Sequence, residues 1–219
     1  MWPSIECSPL LTAQMPPIQP NPLIVVTGIS GFIASYVALI ALREGHRVRG
    51  TVRSSSLGKA EVLRDAFIKQ GIDPKVVQES LEFLPVDNED FFSEGIWHRV
   101  FKDAEGVEHI SYPIDGLNRA IVNKGVKCTM ILLQVVAQMP TIKRFVFTSS
   151  SAAAMMPYEY NEKEGIVEDW KDAVVDQMSN EEVSKRGGLF TAYMANKVLA
   201  ENGCVGVRQY KEGEHTLAC

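Results

Sequence analysis

Short apolar runs alternate with helix-like patterns from residue 23 onward, and this alternation is the feature that most limits the possible folds. The run LIVVT at 23–27 is typical of a strand buried on both faces of a sheet. Further strands are predicted at 47–52, 81–86, 106–110 and 144–150, and helices at 32–44, 58–71, about 90–103, 117–138 and about 188–211. Because helices separate the strands, we expect the strands to pair in parallel. The sequence therefore predicts the α/β class with a doubly wound parallel sheet, the Rossmann fold.

Composition limits the classes of partner. The chain has 219 residues, 46% of them hydrophobic, which suits a soluble protein with one large domain, or one domain and part of another. Its net charge of -5 and its lack of a basic run argue against a nucleic-acid partner. No window reaches the roughly 18 apolar residues of a transmembrane helix, so no membrane partner is expected. We expect a cytoplasmic protein, a monomer or weak homo-oligomer, that acts on a small molecule.

The cysteines and the N-terminal residues carry no sign of secretion. The four cysteines are scattered without a C-x-x-C pair, and no histidine stands at metal-ligand spacing. Neither a disulfide framework nor a metal site is predicted, and a reducing compartment is the simpler interpretation. Residues 1–22 lack the basic start and the long apolar stretch of a secretory signal. We interpret 1–22 as a mobile N-terminal leader and 23–219 as the folded domain.

A glycine turn joins the first predicted strand to the first helix, with Gly28, Gly31 and Ala34 at the spacing G-x-x-G-x-x-A. In a dinucleotide-binding turn, the first glycine permits a tight bend and the second lets the backbone approach a pyrophosphate. A small third residue lets the helix pack closely, and the helix N-terminus offers free N–H groups to phosphates. An ordinary β-to-α turn is the alternative, but the flanking strand and helix favour a cofactor.

The end of the second strand indicates which cofactor. A fold that prefers NAD usually places an acidic residue there for the ribose 2′-hydroxyl. The segment TVRSSSLGK has no acidic residue but carries Arg53 and Lys59, which suit a 2′-phosphate and favour NADP. The alternative is an ordinary solvated arginine at a strand end. Asp87, after the third strand, could accept a hydrogen bond from the adenine amino group or could cap the helix that follows.

Two further segments carry groups suited to carbonyl chemistry. The serines at 149–151 follow the fifth strand, at the edge where open α/β sheets bind ligands. Tyr193 and Lys197 are four residues apart, so they project from one face of a helix. An adjacent ammonium favours phenolate and would make Tyr193 a usable general acid. Such pairs also occur on ordinary helices. A catalytic role is favoured here because the glycine turn, the serines and the Tyr-Lys helix follow one another in this order.

Several motifs in this order resemble the extended short-chain dehydrogenase/reductase family. The chain is most similar to its NADPH-dependent ketoreductase and dihydroflavonol-reductase-like branch, which includes fungal aldehyde or methylglyoxal reductases. The segments that carry the resemblance are VTGISGFIASYV, VRGTVRS, VEHISYP, GVKCTMILL, KRFVFTSSSAAA and YMANKVLAE, and it extends over residues 23–219.

The resemblance implies a reductase that transfers hydride from NADPH to an aldehyde or ketone and yields an alcohol. Ser150 would orient the substrate carbonyl, with Ser149 and Ser151 as alternatives, and Tyr193 would donate the proton. Lys197 would hold the nicotinamide ribose and lower the tyrosine pKa. The cofactor-binding residues that it implies are Thr27, Gly28, Ser30, Gly31, Phe32, Ile33, Arg53, Lys59, Asp87, Tyr193 and Lys197.

The sequence departs from the family pattern in three places, and two alternatives to the reductase function stay open. Tyr112 stands where small residues are usual beside the cofactor ribose, and Cys128 stands where a glycine is often found. Family members are longer, so we expect the domain to be incomplete at its C-terminus, with the substrate lobe largely missing. One alternative is therefore a truncated, catalytically silent NADP-binding protein. The other is an NAD-dependent nucleotide-sugar epimerase or dehydratase, which Arg53 disfavours.

Overall fold

The computed structural model describes residues 20–111, 120–154, 193, 195–201 and 203–204. They form a five-stranded sheet in the order β3-β2-β1-β4-β5, and every strand pair in it is parallel. The strands are β1 (Leu23–Val26), β2 (Arg47–Val52), β3 (Leu81–Pro85), β4 (Gly106–His109) and β5 (Arg144–Phe147). The predicted doubly wound parallel sheet is confirmed. The strand order reverses between β1 and β4, and open sheets of this kind bind ligands at such a point.

Helices connect all these strands. They are α1 (Phe32–Arg43), α2 (Leu57–Lys69), α3 (Pro74–Ser80), α4 (Glu94–Val100), α5 (Ala120–Gln138) and α6 (Ser151–Ala154). Two short 3-10 helices occupy Ser54–Ser56 and Asp90–Phe92. Residues 193, 195–201 and 203–204 are also helical. Among the described residues, no helix has the length and apolar character to cross a membrane.

Several local elements differ from the sequence prediction: β5 ends at Phe147 instead of residue 150, and α6 and the 3-10 helix Ser54–Ser56 were not predicted. Helix α3 was not predicted, although Asp73 caps it by accepting a hydrogen bond of 2.7 Å from the Lys75 amide, and Pro74 opens it. The single helix expected at about 90–103 is instead the 3-10 helix followed by α4. Ser93 separates the two in an extended conformation, with φ -110° and ψ 111°. Apolar spacing alone does not reveal such a break.

The continuous apolar run of β1 is explained by its two buried faces. Leu23 and Val25 pack in one cluster with residues of α4 and α5, and Ile24 and Val26 pack in another with residues of α1 and α2. Side chains alternate along a strand, so each layer of helices receives every second residue. The central position of β1 therefore needs an apolar side chain at every residue.

Parts of the sequence prediction fall outside the described residues. They are residues 1–19 of the expected leader, Tyr112, the start of the helix expected at 117–138, the start of the helix expected at about 188–211, and residues 205–219. Cys128 is described, and it is fully buried in the cluster between the sheet and α5.

We expect Glu108 to make stability depend on pH. Burial in β4 raises the pKa of its carboxyl to about 7 from its ordinary value of 4.5. Between these values the folded state keeps a proton that the unfolded chain loses, so this group lowers the free energy of unfolding as pH rises from 4.5 to 7.

Glu108→Gln removes that contribution. Its free energy of unfolding relative to the unmutated chain should be higher at pH 8 than at pH 5 by about 1–3 kcal/mol, since one pKa unit corresponds to about 1.4 kcal/mol. Urea titrations at the two pH values measure the difference. The exposed Glu44→Gln serves as the control, and an equal response in both variants would contradict the assignment.

Candidate cofactor and catalytic site

Gly28 occupies a position that only glycine fits. Its φ is +67°, in the left-handed region, and a Cβ on it would lie 2.6 Å from the Ser111 Oγ atom. The turn is closed by a hydrogen bond of 2.8 Å from the Gly31 amide to the Gly28 carbonyl oxygen. The Gly28 amide donates to Thr51 Oγ1 at 2.9 Å. The turn is therefore fixed between the ends of β2 and β4.

The N-terminus of α1 opens directly from this turn. Gly31 is the N-cap residue and provides no side-chain hydrogen bond, and the first turn of the helix has no acidic residue. The first amides of a helix have no partner within it, and its dipole favours an anion at that end. The turn and the helix therefore fit a pyrophosphate, as the glycine spacing predicted.

A cavity of about 390 Å³ lies on the β2 side of the glycine turn. We call it the β2-side cavity. Of the residues predicted to bind cofactor, it is lined by Gly28, Ser30, Gly31, Arg53 and Lys59. Seven further lining residues were not among those predicted to bind cofactor, namely Thr51, Val52, Ser56, Val86, Asn88, Phe91 and Ser111. None of its described lining residues is acidic, so its charged groups are the two cations.

Asp87 holds Ser54, the residue that follows Arg53 of the lining of this cavity. Its carboxylate accepts hydrogen bonds from the Ser54 amide at 2.9 Å and from the Ser54 hydroxyl at 2.6 Å. These two bonds, the hydroxyl first, lower the pKa of the carboxyl. Asp87 thus caps the 3-10 helix that follows Arg53, and the helix after Asp87 receives no such cap from it. The contact with adenine remains a prediction.

A second cavity, also of about 390 Å³, lies on the β4 side of the turn. We call it the β4-side cavity. It is lined by Gly28, Gly31, Phe32, Ile33, Ala34, Ile110, Ser111, Tyr193 and Lys197. The fold therefore brings the glycine turn and the Tyr-Lys pair to one cavity, although they lie far apart in the sequence. The serines at 149–151 are not among its described lining residues.

Lys197 is buried beside the end of β5. Its ammonium donates a hydrogen bond of 2.6 Å to the Thr148 carbonyl oxygen and lies 4.7 Å from the centre of the Phe147 ring. The same ammonium is 5.8 Å from the centre of the Tyr193 ring. Burial lowers the pKa of Lys197 to about 8, and the Glu201 carboxyl acts in the opposite direction. The two side chains therefore do share one face of the helix.

Glu201 is a buried group that the sequence reasoning missed. Its Oε2 atom and the Ser149 Oγ atom are both buried, and among the described residues neither has a hydrogen-bond partner at ordinary bonding geometry. Burial raises the pKa of its carboxyl, while the nearby Ser149 hydroxyl and Lys197 ammonium oppose that change. The spacing of four residues after Lys197 was the available signal, because it places both residues on one face of a helix.

The remaining predicted residues have unequal surroundings. Phe32 and Ile33 are exposed, and both line the β4-side cavity. Thr27 is fully buried, and its hydroxyl bonds to the backbone after β4, so it lines neither cavity. Ser149 and Ser150 are half-buried and Ser151 is exposed at the start of α6. Within the described part of the chain, no group of three metal-ligating side chains could hold a metal ion.

Comparison with known proteins places the chain in a family. It belongs to the NAD dependent epimerase/dehydratase family, whose model matches residues 24–212. Aldehyde reductase 2 from Sporidiobolus salmonicolor is 32% identical over 185 residues, which are 82% of this chain and 50% of that protein. The NAD-dependent epimerase/dehydratase terH from Aspergillus terreus is 37% identical over 139 residues, which are 63% of this chain and 38% of that protein.

A solved structure shares the fold. The yeast methylglyoxal/isovaleraldehyde reductase Gre2, crystallised with NADPH, matches 89% of this chain and 55% of its own with a TM-score of 0.66 and 22% identity. The family model and the relatives above confirm the expected resemblance to the extended short-chain dehydrogenase/reductase family, and this structure confirms its fold. The chain spans about half the length of the relatives named here, or less.

Alanine substitutions at two glycines distinguish the stability cost of a positive φ from the cost of the close contact with Ser111. Gly45 has a φ of +82° with open space around it, whereas Gly28 also faces Ser111. We expect Gly45→Ala to lower the free energy of unfolding by about 1–2 kcal/mol from backbone strain alone. Gly28→Ala should cost about 1–3 kcal/mol more because Ser111 must move. Urea unfolding measures both, and equal losses would contradict the close approach.

Proposed function

We propose that this chain binds NADPH across the two cavities and reduces an aldehyde or ketone to an alcohol. The observation that carries the proposal is the placement of the glycine turn between a cavity with two cations and a cavity with Tyr193 and Lys197. A dinucleotide has a pyrophosphate in its middle, so its two halves would extend from the turn in opposite directions. The bare backbone at Gly28 and the uncapped start of α1 support this fit.

Arg53 and Lys59 support a preference for NADPH over NADH. Both line the β2-side cavity, with the Ser56 hydroxyl as a further polar neighbour. A 2′-phosphate adds negative charge that cations bind through charge-assisted hydrogen bonds. Asp87 strengthens this arrangement, because its bonds to Ser54 hold the turn that carries Arg53.

In the β4-side cavity the bound nicotinamide would supply a hydride, and the chain's own residues would supply the proton and the orientation. The Tyr193 hydroxyl donates its proton to the carbonyl oxygen of the substrate. The Lys197 ammonium lies beside the Tyr193 ring and favours the phenolate that remains. Ser150, three residues after the end of β5, would orient the same carbonyl oxygen through a hydrogen bond.

Names of relatives support a carbonyl substrate. Two relatives that match 82% of this chain are named aldehyde reductase and ketoreductase. The name of terH favours a second candidate, an NAD-dependent epimerase or dehydratase. The cations of the β2-side cavity weigh against that candidate because NAD has no 2′-phosphate. A catalytically silent NADP-binding protein would bind the same cofactor without turnover.

Arg53→Glu tests the cofactor preference. Charge-assisted hydrogen bonds contribute about 1.5–3 kcal/mol, so the variant should bind NADPH about tenfold or more weakly and bind NADH as before. Arg99→Glu, exposed on α4, is the matched control because it makes the same change in net charge away from both cavities. Calorimetric titration measures the affinities. Equal affinity of the unmutated chain for the two cofactors would overturn the assignment.

Tyr193→Phe tests the proton donor. The ring and its packing remain, so NADPH affinity should stay within about twofold while turnover falls by about 100- to 10,000-fold, the usual loss for a positioned acid. Ser150→Ala should cost less turnover, and Lys197→Met should weaken both cofactor binding and turnover. NADPH oxidation with a panel of aldehydes and ketones measures the rates. Unchanged turnover in Tyr193→Phe would remove the mechanism, and binding without any turnover would indicate the silent protein.

A further inference from the structure

His109, the last residue of β4, connects two buried threonines. Its Nδ1 atom lies 3.3 Å from Thr27 Oγ1, and its Nε2 atom lies 3.3 Å from Thr129 Oγ1. Thr27 follows β1 and Thr129 lies on α5, and all three side chains are almost fully buried. This row, which we call the Thr129–His109–Thr27 relay, therefore crosses from α5 through the sheet edge to the glycine turn.

The surrounding hydrogen bonds fix the position of the imidazole proton. Thr129 Oγ1 donates its hydrogen to the Gly125 carbonyl oxygen at 3.1 Å, so it can only accept from His109. The Nε2 atom of His109 must then carry the proton, which leaves Nδ1 as an acceptor in the neutral ring. Both ring nitrogens of His109 therefore have a hydrogen-bond partner when the ring is neutral and protonated on Nε2.

The other end of the relay holds the backbone after β4. Thr27 Oγ1 accepts hydrogen bonds from the Ile110 amide at 2.9 Å and the Ser111 amide at 3.0 Å, which fill its two lone pairs. Only its own hydrogen is left, and that hydrogen reaches His109 Nδ1 or the Ser111 carbonyl oxygen, each at 3.3 Å. The same threonine hydroxyl is thus tied to His109 and to the two residues that follow it.

Ser111 connects the relay to the proposed cofactor site. Its side chain contacts the place where Gly28 lacks a Cβ, and it lines both the β2-side and the β4-side cavities. Displacing Ser111 would therefore alter the middle of the proposed cofactor site, where the two cavities adjoin the glycine turn.

We propose that His109 is a positioning residue for the nucleotide site, which it shapes by holding Thr27 and Thr129 in one hydrogen-bonded relay that fixes Ser111 between the two cavities. This inference rests on the proposed cofactor binding for its functional effect, but the relay itself is a property of the protein without cofactor. No substrate or cofactor atom needs to touch His109.

The relay stays neutral over the ordinary pH range. Burial, and secondarily the Lys197 ammonium, lower the pKa of His109 to about 3. The imidazole faces Thr27, which follows β1, and Thr129 on α5, and it also faces the rings of Phe145 and Phe147 on β5. Lys197 is the charged group that acts on it among the described residues. The effect of the relay on cofactor affinity should therefore not change between pH 6 and pH 8.

Thr129 offers a matched pair of variants for the test. Thr129→Val keeps the shape and removes the acceptor for Nε2–H, while Thr129→Ser keeps the hydroxyl. We expect Thr129→Val to weaken NADPH binding about three- to tenfold and Thr129→Ser to stay within about twofold. Val135→Ala, a cavity variant buried on the same helix, controls for general destabilisation. If Val135→Ala weakens NADPH binding as much as Thr129→Val, the positioning role is overturned.

A second measurement needs no cofactor. Nitrogen NMR of the imidazole should find His109 neutral, with its proton on Nε2, and hydrogen exchange of the Ile110 and Ser111 amides should accelerate in Thr129→Val more than in Thr129→Ser. A proton on Nδ1, or equal exchange in the two variants, would overturn the relay even if NADPH binds. If the unmutated chain does not bind NADPH while these NMR results hold, the cofactor proposal fails and the relay stands.

Discussion

The site depends on the close approach of the Ser111 side chain to Gly28. The space that a Cβ would need at residue 28 is taken by Ser111, and the backbone there adopts a φ of +67°. Two strand ends meet at this contact, because Thr51 holds the turn from β2 and Thr27 holds the backbone after β4. The reversal of strand order between β1 and β4 makes that meeting possible, and both cavities open from it.

The charged groups are divided between these cavities according to their surroundings. On the β2 side, Arg53 and Lys59 line an open cavity. Their charged groups can therefore bind a phosphate with little cost of desolvation. On the β4 side, Lys197 is buried, and the Thr148 carbonyl oxygen, two aromatic rings and the Glu201 carboxyl compensate its charge. The first arrangement suits recognition of an anion, and the second suits control of a proton.

The positions of the five strands along the chain, and their parallel pairing, could be predicted because each strand is a short apolar run and helical patterns separate the runs. The glycine turn, Arg53, Lys59 and the Tyr-Lys pair were also accessible, since each depends on local spacing. Helix α3 could have been found from its Asp-Pro start. The relay through His109 and the lining by Ser111 could not, because they arise from contacts between residues that are distant along the chain.

The most direct test of the account is an amide NMR titration of the labelled chain with NADPH. A cofactor that spans the glycine turn should shift the resonances of Gly28 and Ser111 together with residues of both cavities, such as Arg53 on one side and Lys197 on the other. All these shifts should saturate at the same NADPH concentration. Shifts confined to one cavity, or absent from Gly28 and Ser111, would contradict the claim that the two cavities form one dinucleotide site.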